Sequence, residues 1–237
     1  NVPFIKLVSV ATDGAHNMVG RFNGMVSHLK RLVQQDLGVV TPTFRHVWCL
    51  AHRLNLVITD FQNVRNISSV FLFADWFTTK RKATVYKKWL RASYPDQRFK
   101  KITKPSETRW SFYKVVLETL LTQVGQVEKF LKQDPDFVSF RRKLFPPSAE
   151  DVETNTVGFF SNTFIMCHFR FASFILEQIW LLNAELQEQY TILPVVWASV
   201  SRTKETFHQY LCKLQSSRFD DFPYLWALHK EEKKTFC

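Results

Sequence analysis

Residues 4–18 run Phe4-Ile5-Lys6-Leu7-Val8-Ser9-Val10-Ala11-Thr12-Asp13-Gly14-Ala15-His16-Asn17-Met18. The first nine are β-rich and nearly continuous in apolar character, which is how a buried strand reads. Asp13-Gly14 ends the strand. Beyond it Met18, Val19, Phe22, Met25, Val26, Leu29, Leu32 and Val33 recur at spacings of three and four, predicting the buried stripe of one amphipathic helix. Gly38 and Pro42 mark a turn. Residues 44–49, Phe44-Arg45-His46-Val47-Trp48-Cys49, form a second short strand candidate, followed by a helical stripe of Leu50, Leu54, Val57, Ile58 and Phe61. Residues 1–64 therefore read strand, helix, strand, helix: an α/β unit with polar residues where the strands end.

From Ile67 onward the strand signals fade and helical stripes take over. One runs Val115, Val116, Leu120, Val124, Val127, Leu131; another Phe160, Phe164, Phe171, Phe174, Ile175, Ile179, Leu182, Leu186; a third Val196, Val200, Phe207, Leu211, Leu214. Pro135, Pro146-Pro147 and Pro194 punctuate them. Residues 65–237 are expected to be an all-helical domain. The fold class is thus α/β plus all-α.

Hydrophobic residues make up 46% of the 237, enough for a real core, and 23 Phe and 7 Trp argue against a disordered tail. The four cysteines are widely spaced and outline no disulfide framework, which fits a reducing, intracellular compartment. No apolar run reads as long enough to cross a membrane, and no signal peptide opens the chain. Starting at Asn1 without Met and stopping just after a charged run, the chain is expected to be a segment of a longer protein. The formal net charge is +11, which favours an acidic partner, nucleic acid above all.

Three short motifs carry chemistry. Asp13 closes a buried strand, where a carboxylate can face a cleft and hold a divalent cation; two-metal phosphoryl transfer needs several such groups. The plainer role is capping the next helix. Cys49-Leu50-Ala51-His52 puts two metal-capable side chains at a strand–helix junction, but a structural zinc needs four ligands, and only His46 and Cys167 remain as loose candidates. A buried, satisfied Cys and His is the simpler reading. Thr108-Arg109-Trp110 precedes a helix starting near Phe112. Trp110 suits a core, yet a guanidinium beside an indole also suits phosphate contact and stacking on an unpaired base.

In order and spacing, the three together resemble the hAT (hobo and Activator) transposase pattern. Thr12-Asp13-Gly14-Ala15 at a strand end is followed 36 residues on by Cys49-x-x-His52 with Leu54-Asn55-Leu56, then Thr108-Arg109-Trp110 before a helix. The likeness covers residues 4–116. It extends more weakly through Leu182-Asn183-Ala184-Glu185-Leu186-Gln187 and Asp221-Phe222-Pro223-Tyr224-Leu225, which look like the helical tail of transposon-derived vertebrate proteins, including those with BED-type zinc fingers. The resemblance implies a partial RNase H-like core at 1–64 and a helical insertion domain at 65–237. It implies that Asp13 is the second Asp of a DDE metal site for Mg2+ or Mn2+, that Cys49 and His52 help position a DNA end, and that Trp110, with Arg109 beside it, supports a flipped base. The other two carboxylates of the family would lie before Asn1 and after Cys237. The chain alone is then expected to be inactive and to hold no metal tightly, while a complete parent would cut and join DNA.

Residues 80–109 hold eleven Lys or Arg against Asp96 and Glu107 alone, a net charge of +9 out of +11. Lys87, Lys88, Lys100 and Lys101 are the candidate backbone contacts, with Tyr86, Trp89, Tyr94 and Phe99 interleaved. The alternative is a solvated loop between two helices. The expected whole is a DNA-binding, transposon-derived nuclear protein with DNA as partner, a homo-oligomer as a further partner and no membrane. Its rivals are part of an active DDE transposase and a helical protein-interaction scaffold in which the Phe-rich run 159–175 is an interface and not core.

Overall fold

The computed structural model describes residues 9–13, 15–37, 45–102, 111–144, 159–187, 193–222 and 224–225. They form two compact units, residues 1–57 and 58–237. The division falls inside a helix, seven residues before the boundary expected at 64.

In the first unit, β1 (Ser9–Thr12) pairs in parallel with β2 (Arg45–Trp48), in the register Ser9 to Arg45 through Thr12 to Trp48. Parallel neighbours need a crossover, and it is helical: α1 (His16–Val19) and α2 (Met25–Leu37). The continuous helix expected from Met18 to Val33 is therefore broken. Gly20 is extended, at φ −53° and ψ 134°. Its carbonyl accepts from the Gly24 amide at 2.9 Å and from Ser27 Oγ at 2.9 Å, closing a turn between the two helices. Both glycines are needed there. A Cβ on Gly20 would lie 2.6 Å from the His16 carbonyl oxygen, and one on Gly24 would strike the backbone N and O of Gly20. Gly24→Ala is expected to destabilise this unit by about 1–3 kcal/mol, because the clash is with backbone that cannot swing aside. Urea unfolding followed through the exposed Trp48 checks it; an unchanged midpoint would count against the tight turn.

The small core of this unit is Val26 and Val33, with Val10, Val19 and Leu29 packed on it. Phe22, Met25 and Leu32, placed on the same stripe by periodicity, are exposed instead. Phe22 falls in the turn, outside either helix, so its stripe position never forms. α3 (Leu50–Gln62) follows β2 directly and runs into the second unit, where Ile58 is fully buried.

Among its described residues the second unit is entirely helical: α4 (Ile67–Phe77), α5 (Lys80–Ser93), α6 (Ser111–Thr122), α7 (Val124–Leu131), α8 (Pro135–Leu144), α9 (Thr163–Leu186) and α10 (Leu193–Gln215). Phe73 of α4 sits at the centre of an aromatic core. Its ring lies 5.1 Å from Phe159, 5.3 Å from Phe169, 5.6 Å from Phe160 and 5.7 Å from Phe77. Phe159, Phe160 and Phe169 are all buried, so this part of the Phe-rich run 159–175 is core and not an interface; of the phenylalanines in it, Phe164 is the exposed one.

α9 corrects the reading that no apolar run reaches membrane-spanning length: its 24 residues, with a mean hydropathy of 1.3 in the most apolar window, have the length and composition to cross a bilayer. Its buried residues, Ile165, Phe169, Ala172, Leu176, Ile179 and Leu182 among them, recur at three and four and pack against α4, α6 and α10. That one-sided burial, with Arg170 and Trp180 exposed, makes it a central core helix. In α10, by contrast, the expected stripe is only half-buried, and Leu211 is exposed.

The stripe 115–131 also divides in two. The interruption is Gln123, a buried polar residue between α6 and α7.

Candidate functional site

Two places bring the sequence-predicted residues together, one in each unit. In the first, β1 and β2 end side by side: Thr12 is paired with Trp48, and the Cys49 amide donates to the Thr12 carbonyl at 2.8 Å. Asp13 and Cys49, 36 residues apart in the chain, are thereby the first residues beyond neighbouring strand ends. This is the edge where open parallel sheets present their ligand-binding groups. His52 lies in the first turn of α3, half-buried, and the Arg53 amide donates to the Cys49 carbonyl at 3.1 Å. Thr12 Oγ1 lies 2.9 Å from His46 Nε2, and the Arg53 guanidinium sits 5.0 Å from the Trp48 ring centroid. His46, a loose zinc candidate by sequence, is thus engaged by the strand opposite.

Asp13 is exposed, and its Oδ1 accepts from the Ala15 amide at 3.2 Å. Ala15, not Asp13, is the N-cap residue of α1, and the helix start has no side-chain cap hydrogen bond, so Asp13 does not take the capping role expected of it. The donor set does not fit a two-metal site. Asp13 and Asp36 are the only acidic residues in 1–57, and Asp36 lies near the far end of α2. Among the described residues no three His, Cys, Asp or Glu side chains gather where a cation could be held. Cys167, the other loose zinc candidate, is buried in the helical unit, its Sγ donating to the Tyr224 carbonyl at 3.0 Å.

The second place is built by the basic stretch. Residues 80–93 are not a solvated loop but α5, whose first turn is capped by Thr79 accepting from the Lys82 amide. The helix sorts its residues by face. Tyr86 and Leu90 turn inward, and the Tyr86 ring packs 5.0 Å from Phe77 and 5.2 Å from Phe130. Lys87, Lys88 and Arg91 are exposed. The following strap, residues 94–102, lies back along the helix. Ile102 is buried, Phe99 packs edge-on to Tyr94 at 5.6 Å, and Lys129 Nζ donates to Tyr94 OH at 3.3 Å. Gln123 ties both walls together, accepting from Tyr86 OH at 3.1 Å and donating from Nε2 to the Lys100 carbonyl at 2.8 Å.

Between α5 and the strap lies a groove of about 750 Å³, lined by Lys80, Lys87, Arg91, Arg98, Lys100 and Lys101 and by no acidic side chain. Lys87, Lys88, Lys100 and Lys101 are all exposed, and among the described residues none of them is paired with a carboxylate. Burial holds the Tyr86 hydroxyl protonated well above the usual phenol range, with Tyr94 adding to the effect, so the groove floor contributes no negative charge near neutrality.

Two expectations about this stretch change. Lys82 is buried and bonded to Asp134 and Asp136, so it is a structural cation unavailable to a ligand. Of the aromatics interleaved with these cations, Tyr86 is core and Trp89 donates from Nε1 to Gln133 Oε1 at 2.9 Å. Arg109 and Trp110 lie outside the described residues. Gln123 and Ile102, which shape the groove, escaped the sequence reading. The signal for Gln123 was there, a polar residue inside an apolar stripe. Nothing local marks Ile102. No family model, curated protein or solved structure matches the chain.

Proposed function

We propose that this chain is a DNA-binding segment of an hAT transposase-like, transposon-derived protein that works in the nucleus, and that it does not cut DNA by itself. The observation that carries the reading is the concentration of exposed, uncompensated cations along α5 and the strap. Charge of this density, held on a rigid helix and a pinned strap, attracts a polyanion and releases its counterions. The β1–α2–β2 arrangement supports the same reading: it belongs to an RNase H-like core in this proposal, and Asp13 and Cys49 at adjacent strand ends are where that core would keep its DNA-positioning groups. A single carboxylate there cannot clamp the attacking and leaving oxygens of a phosphoryl transfer, so the role assigned is binding. Any Mg2+ or Mn2+ chemistry belongs to a complete parent with further acidic residues.

The test is salt-dependent duplex binding by the full chain, compared with a variant carrying Lys87→Ala, Lys88→Ala, Lys100→Ala and Lys101→Ala. If each lysine neutralises one phosphate, the slope of log affinity against log salt falls by about 3–4. All four are exposed, so folding should be untouched. An unchanged slope removes these residues from the interface, and absence of wild-type binding at low salt removes the reading altogether.

A further inference from the structure

The groove has an apolar floor beneath its cationic rim, and a floor of that kind distinguishes between forms of nucleic acid. Resting on the nucleic-acid reading above, and narrowing it, we infer that the groove holds an unpaired strand, with bases laid against Tyr94 and Phe99 and phosphates along Arg91, Arg98, Lys100 and Lys101. A duplex turns its bases inward and presents phosphates on a convex surface, so it has nothing to set against a recessed apolar floor. An unpaired strand exposes flat base faces beside its phosphates, and stacking on aromatic side chains is how sequence-tolerant single-strand sites gain affinity.

The geometry matches that division. Tyr86, Leu90 and Ile102 form the buried floor. Tyr94 and Phe99 line the same groove but are only half-buried, leaving ring surface exposed. About 750 Å³ falls within the range of pockets that enclose a compact ligand, roughly 300–1,000 Å³. It takes a short run of nucleotides and not the width of a double helix. The wall is also held in place before any ligand arrives, by Gln123 on the Lys100 carbonyl and by Lys129 on Tyr94. Little ordering is then left for binding to impose.

The experiment uses the full chain, with an oligodeoxythymidine of about ten nucleotides and a duplex of similar phosphate count as probes. The single strand is expected to bind more tightly at equal salt. Tyr94→Leu should weaken it about tenfold and duplex binding by much less, and Arg98→Glu should weaken both. Should Tyr94→Leu fail to fold, an iododeoxyuridine-substituted strand photocrosslinked to the unaltered chain gives the same answer, with adducts expected at Tyr94 or Phe99. Equal affinity for both probes, or crosslinks mapping wholly outside residues 80–102, overturns the single-strand assignment and leaves the DNA-binding reading standing. Failure of both probes to bind overturns the two together.

Discussion

Lys82→Met is expected to lower the unfolding free energy of the helical unit by about 3–5 kcal/mol. Lys82 sits in the middle of the most basic stretch of the chain, yet its side chain is 9% exposed and that of Asp134 only 4%. The ammonium lies 2.6 and 2.5 Å from the two carboxylate oxygens of Asp134 and 2.9 Å from Asp136 Oδ2, with its Nζ 4.9 Å from the Trp76 ring centroid. Asp134, the residue just before α8, in turn accepts from the Asp136 amide at 3.0 Å. Removing the cation leaves the buried Asp134 carboxylate without its counter-ion, and an unpaired buried charge costs far more than the pair contributes. Lys82→Met combined with Asp134→Leu should recover most of the loss, since an apolar replacement of a whole buried pair is close to neutral. Urea unfolding of the three proteins, followed by circular dichroism, decides it; a single-variant loss below about 1 kcal/mol would mean the pair is not buried in solution.

The same cluster sets an acid limit. The hydrogen bond from Lys82, then its charge, hold the Asp136 carboxyl below its usual range, with desolvation opposing and Arg81 assisting. A group whose folded pKa is depressed stabilises the fold above its unfolded pKa and loses that contribution as pH falls through the folded value. Stability of the wild type should therefore drop on acidification below the ordinary aspartate range, and Lys82→Met should lack that part of the drop.

Phe73→Ala is expected to cost about 3–5 kcal/mol, lowering Tm by roughly 10 °C, because a fully buried ring leaves a cavity that its neighbours cannot refill. Phe73 contacts six aromatic rings drawn from four parts of the chain: Trp76 and Phe77 beside it on α4, Phe137 on α8, Phe159 and Phe160 before α9 and Phe169 within it. Rings stacked and tilted this closely have no spare rotamers to collapse into the space. Phe22→Ala is the matched control. Its ring is 73% exposed, and its removal should change stability by no more than about 0.5 kcal/mol. Differential scanning calorimetry separates the two; equal effects would place Phe73 outside the core.

The strand ending at Thr12, the strand at 45–48 and the helix after each were legible, because alternation, turn residues and three-four spacing are local signals. The break at Gly20–Gly24 was less so. Either glycine is tolerated inside a helix, and only the near contact of their backbones makes the turn. Phe22 was misplaced for that reason. The groove was legible in its charge and hidden in its shape. Lys82 and Lys87 read alike in sequence, and it is packing against α8 that makes one a buried staple and the other a surface cation. Tyr86, Trp89, Tyr94 and Phe99 read as one interleaved set, and packing divides them into floor, brace and wall.

From residue order alone followed the α/β start, the helical remainder and the position of nearly all the excess positive charge, since periodicity and net charge are sums over neighbours along the chain. Folding alone determined which cations stay free, which aromatic rings stay accessible, and that Asp13 and Cys49 end up at adjoining strand ends. Those outcomes depend on contacts between residues tens of positions apart, and burial, ion pairing and strand register have no counterpart in a local pattern.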